Sequence, residues 1–108
     1  MLNQRGKWFT CNDTFQDYSS AQTVTVVYTP ASGKSVRILG YAISTNAANT
    51  ITVLIGNTTV MKFYFSTNGG ANLDASSVPV AVGAADEVIK VTSTATTGHS
   101  IAFSGYEE

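Results

Sequence analysis

The sequence predicts an all-β fold: a single-domain antiparallel β-sandwich, jelly-roll-like, with seven or eight strands. Three observations carry this. Short apolar runs recur along the chain, many alternating or β-branched; clusters of Gly, Asn, Pro and Ser separate them; and no stretch requires the apolar period of a helix. Composition agrees, because 15 Thr and 11 Ser suit the exposed faces of sheets. Helix-favouring long side chains are scarce: between Ser35 and Val88 the Glu, Lys and Arg residues are Arg37, Lys62 and Glu87.

The strands follow in order. TVTVVYT, from Thr23, puts Val24, Val26 and Tyr28 on one face and Thr25, Val27 and Thr29 on the other, and PASG ends it. VRILGYAIST, from Val36, is apolar on both faces, as a central strand should be. ITVLIG, with Ile51, Val53 and Ile55 inward, reverses at GNTT into VMKFYFST, where Met61, Phe63 and Phe65 share a face opposite Val60, Lys62 and Tyr64. After the NGGAN turn and Leu73 comes VPVAV, in which Pro79 lacks a donor and marks an edge or a strand entry. Glu87 to Thr92 and Ser100 to Gly105 read as a closing hairpin, with Ile89 and Val91 facing Ile101 and Phe103. Residues 1–20 show no sustained period and read as an arm or irregular lead-in anchored by Trp8 and Phe9; residues 21–108 form the sandwich domain.

Charge and motifs exclude several functions. Six basic and seven acidic residues leave a nearly neutral surface, which disfavours nucleic acid and anionic lipid as partners. No apolar run reaches membrane-spanning length, and MLNQRGKWFTC lacks the core of a secretory signal, so a soluble, unglycosylated chain is expected. The single cysteine, Cys11, excludes an internal disulfide and leaves only an intermolecular one. His99 reads as a solvated turn residue. A Ser100–His99–Asp86 triad has little weight in so serine-rich a chain. Asp86 and Glu87 are adjacent and point to opposite faces of a strand, NGGAN has no following lysine, and Asp74 is a lone carboxylate. No catalytic, metal or cofactor residue is therefore expected, and the chain reads as a binding module. Phe63, Phe65 and Phe103 are assigned to the core; Tyr41, Tyr64 and Tyr106 lie out of phase with the inward positions and, with Trp8 and Phe9, are the expected interface residues.

Three segments, YTPASGKSVRILGYAIST, ITVLIGNTTVMKFYFS and PVAVGAADEVIKVTSTATTGHSIAFSGY, together resemble the small jelly-roll modules of tailed-bacteriophage virions, above all head decoration or cement proteins. The resemblance covers roughly residues 23 to 106. It implies a non-enzymatic structural protein on the capsid surface, made in the host cytoplasm, trimeric, contacting the major capsid protein or another virion protein, with an N-terminal arm reaching a neighbour. Related jelly rolls occur in tail fibres and receptor-binding tips, which implies the alternative of recognising a host glycan or protein, with Tyr41, Tyr64 and the asparagine-rich loops forming the patch.

Overall fold

Strict alternation builds the clearest hairpin. Ile51, Val53 and Ile55 are buried, while Thr50, Thr52 and Leu54, which alternate with them, are only partly covered. The turn after Ile55 places Gly56 at φ +62°, a left-handed conformation open to a residue without a Cβ. The computed structural model describes residues 7–74 and 76–108; the first six residues of the expected arm lie outside them. The elements are β1 (Trp8–Phe9), one helical turn α1 (Cys11–Thr14), β2 (Gln16–Tyr18), β3 (Thr25–Tyr28), β4 (Val36–Thr45), β5 (Asn49–Ile55), β6 (Thr58–Phe65), β7 (Gly70–Leu73), β8 (Ala81–Val82), β9 (Ile89–Ser93) and β10 (His99–Glu107).

Two antiparallel sheets face each other. One runs β1-β10-β4-β7, with β2 also on β10 and β8 also on β4; the other runs β3-β9-β5-β6. Among the described residues the strands number ten where the sequence predicts seven or eight, because two positions are interrupted: β1 and β2 share the edge of β10, and β7 and β8 share the edge of β4. Counting each interrupted pair once, the sheets read first-eighth-third-sixth and second-seventh-fourth-fifth, the winding of a jelly roll. Val36, Ile38, Ile43, Ile101 and Phe103 from the first sheet meet Ile51, Val53, Ile55, Ile89 and Val91 from the second, and this layer is the core.

The expected closing hairpin is corrected. β9 and β10 lie in different sheets, so Ile89 and Val91 oppose Ile101 and Phe103 across the sandwich and not within one ladder. The connecting residues cross between sheets because the buried Asn49 side chain takes over their backbone: its Oδ1 accepts from the N–H groups of Thr94 and Ala95, each at 3.0 Å.

The lead-in is likewise part of the sandwich over its described residues. Trp8 and Phe9 pair with Tyr106 and Gly105, and Gln16 to Tyr18 pair with Ile101 to His99. Between them Thr10 and Asp13 form a capping box, Asp13 accepting from the Thr10 N–H at 2.8 Å, which turns the chain out for one helical turn. Those hydrogen bonds hold the Asp13 carboxyl below its usual pKa. The gap left in the ladder is filled by the buried Thr14 hydroxyl, which accepts from Phe103 N–H and donates to Phe103 C=O, both at 2.7 Å. Phe9 is 2% exposed and stacks on Tyr28 at 4.3 Å, so the core begins well before residue 21, where the sandwich domain is expected to start. The helical turn cuts this edge into pieces of two and three residues, too short to show a period.

Candidate functional site

His99 opens β10 and its ring points into the end of the core, next to Tyr18 at 5.5 Å between centroids. The solvated turn position expected for it is corrected: the residue is 3% exposed. Nδ1 lies 2.8 Å from the Thr97 carbonyl, which can only accept, so Nδ1 carries the proton and Nε2 accepts from the Ser93 hydroxyl, also at 2.8 Å. Ser93 Oγ in turn accepts from Gln22 N–H at 3.0 Å. The serine beside His99 is thus Ser93 and not Ser100, whose hydroxyl bonds Ser44, while Asp86 bonds the Gly33 N–H. Ser93 is as buried as His99, and the pair ties β9 to β10 across the two sheets.

A second buried polar pair lies at the other end of β10. Glu107 is buried; its carboxylate accepts from the Tyr28 hydroxyl and from Ala31 N–H at 3.2 Å. Burial first, then this hydrogen bond and the nearby negative charge, push the Tyr28 phenol well above its usual value of 10.0. A raised folded pKa means that the contribution of neutral Tyr28 is complete below pH 10.0 and is lost as pH climbs toward the folded value. Stability should therefore decline above about pH 10, and Tyr28→Phe should remove this part of the decline. The same variant should cost about 1–3 kcal/mol at neutral pH by taking a donor from a buried carboxylate; urea melts at neutral pH and at about pH 11 measure both effects.

The accessible candidate is a shallow trough on the outer face of the first sheet. Its floor is small: Ala42 and Ser44 of β4 beside Ala102 and Ser100 of β10, with the two serine hydroxyls 2.9 Å apart. Phe15, 54% exposed at the end of α1, walls one end. Asp17, Asn46 and Asn68 line an adjoining hollow that shares Ser44 and Ser100 with it. Low side chains leave room for a planar or ring-shaped group to lie on the sheet, an aromatic ring offers it a stacking surface, and a carboxylate with two amides offers acceptors and donors for hydroxyl groups.

The expected interface tyrosines do not share a surface. Tyr64 is 74% exposed on the outer face of the second sheet. Tyr41 turns inward on β4, edge-on to Phe63 at 5.2 Å, and Tyr106 is buried against Trp8 at 5.1 Å. Trp8 keeps about half of its surface exposed, at 49%. Of the aromatics assigned to the core, Phe103 is fully buried while Phe63 and Phe65 are half-buried. Sequence reasoning did not single out Phe15 or Asp17, and Asn68 entered it only as part of the NGGAN turn. The signal available for Phe15 was the Thr10-x-x-Asp13 spacing, which opens a helical turn, followed at once by an apolar residue with no periodic partner.

Among the described residues no group of three His, Cys, Asp or Glu side chains is placed to share a metal ion, and no helix is long and apolar enough to cross a membrane. Cys11 is half-buried, and burial pushes its thiol pKa up. The chain matches no family model, no curated protein and no solved structure.

Proposed function

We propose that the chain is a non-enzymatic virion structural protein, a capsid decoration or cement module that stabilises a head shell by covering part of its surface. The observation that supports this is the apolar surface left beyond the protein's own core: Trp8, Phe15, Val78, Val80 and Val82 are all exposed. Val78, Val80 and Val82 lie along the segment that edges β4, where Val80 N–H bonds the Ile38 carbonyl. Side chains of this kind gain from burial against a neighbouring shell, and many copies on one lattice turn weak contacts into firm retention. The resemblance to phage decoration modules implies the virion context and, as partner, the major capsid protein or another virion protein. Electron microscopy of the assembled particle tests it. Density for this fold on the head shell is the expected result, and its absence there overturns the assignment.

A second reading is favoured by the trough: a receptor-binding module that holds a glycan, with Phe15 stacking on the sugar ring and Asp17, Asn46 and Asn68 bonding its hydroxyls. On this reading a glycan array finds a binder, and Phe15→Ala weakens it by about 1–3 kcal/mol, a factor of about 5 to 150. An array with no binder removes the reading.

A further inference from the structure

The open edge of the second sheet points to a partner. β6 spans eight residues, pairs with β5 on one side and, among the described residues, with no strand on the other. Such an edge is a template for another strand. Beside it the sandwich is incompletely closed: Met61, Phe63, Phe65 and Tyr41 are half-buried, with Phe63 and Phe65 stacked at 5.7 Å.

The direction of the free backbone groups follows from one hydrogen bond. Successive residues of a strand send their N–H and C=O groups to alternate sides. Thr50 N–H donates to Thr94 Oγ1 at 2.9 Å, on the β9 side of β5. Ile51 therefore faces β6 and exchanges bonds with its register partner Phe63. Lys62 and Tyr64, one residue to either side, point their backbone groups away from β5 to the open edge.

We infer that β6 pairs antiparallel with β6 of a second copy of this chain, in the register centred on Phe63, to form a two-fold dimer. In this register Lys62 lies opposite the second copy's Tyr64, and both residues offer outward N–H and C=O groups that bond reciprocally. On the outer face each lysine meets a tyrosine ring, the contact Lys62 already makes to Tyr64 within its own strand, at 5.5 Å from Nζ to the ring centroid. On the inner face Phe63 meets Phe63 and Met61 meets Phe65, which covers the half-exposed aromatic row. The neighbouring registers are poorer. Centring on Lys62 opposes two ammonium groups, and centring on Tyr64 places Lys62 opposite Ser66, beyond the strand end.

The ladder has a built-in stop. Val53 pairs with Met61 but Leu54 with Thr59, so Val60 is an extra residue that bends β6. Pairing is thereby limited to about Met61–Phe65. Because the contact is isologous it consumes both edges and closes at two chains, whereas the resemblance to decoration modules implies three. The inference stands on this geometry and not on the proposed capsid role.

Sedimentation equilibrium of the full chain with Tyr64→Lys and Tyr64→Glu variants tests it. Tyr64 is largely exposed, so both variants should keep the fold, checked by circular dichroism. The wild type should sediment at twice the 11.4 kDa chain mass. Tyr64→Lys places like charges opposite each other twice and should weaken the dimer about tenfold or more, while Tyr64→Glu forms two ion pairs and should retain it. A wild-type monomer at millimolar concentration, a trimer, a dimer indifferent to both variants, or one weakened equally by both would each overturn the assignment.

Discussion

Phe9→Ala is expected to destabilise the domain by about 3–5 kcal/mol, the usual cost of deleting a fully buried aromatic ring from a core that cannot collapse around the gap. The ring is 2% exposed, stacks on Tyr28 at 4.3 Å and belongs to the cluster that includes Ile38 and Phe103. Its loss also loosens the packing beside the Tyr28–Glu107 hydrogen bond. Trp8→Ala is the internal comparison. Trp8 neighbours Phe9 in the same strand but faces the other side, where it leans on Tyr106 and keeps about half its surface in water. Its truncation should cost about 1 kcal/mol. Denaturant melts of the two variants separate the roles. Equal, small effects would return residues 8 and 9 to a detached arm, while a large Phe9 effect alone places that strand position in the folding unit.

Gly105→Ala is expected to be nearly as damaging, at about 3 kcal/mol or more, although it adds a single methyl group. A Cβ at Gly105 would lie 1.9 Å from the Arg37 carbonyl oxygen and 2.9 Å from Phe9 Cζ. The first neighbour is backbone of β4, which cannot rotate away. Gly105 stands where the β4–β10 register shifts after Ser104, so the two strands approach more closely than a regular ladder allows. Relief would require the bulge to open and the pairing of Tyr106 and Glu107 with Arg37 and Val36 to slip, taking the Glu107 carboxylate from Tyr28. A fall in melting temperature of about 12 °C or more is the expected reading, and an unchanged melt would show that the bulge adapts.

The all-β character, the central position of β4 and the β5–β6 hairpin were legible in the chain. They depend on local periodicity, and periodicity is a property of consecutive residues. Ile51, Val53 and Ile55 must share a face in any extended backbone, and Gly56 with Asn57 favours a tight reversal wherever it stands. The lead-in was not legible, because its strand pieces are shorter than one readable repeat and are held together by Thr14, a side chain that acts on Phe103 from 89 positions away. His99 was misread for a related reason. Its neighbours in sequence are turn-formers, but Ser93 and Tyr18 close over it only once the two sheets are stacked. The trough is a tertiary product as well: Phe15, Asp17, Asn46 and Asn68 come from three separate stretches, and each alone is an ordinary loop or edge residue.

The sequence by itself determined the extended character of the longer strands and the buried face of β5, since side-chain alternation follows from backbone geometry alone. Only the tertiary structure decided that β9 and β10 face each other instead of pairing, that Phe9 is core while Trp8 is surface, and that β6 is left with a free edge. Sheet assignment depends on where a connecting segment finds partners for its backbone groups, and here those partners, the Asn49 amide above all, lie far away along the chain.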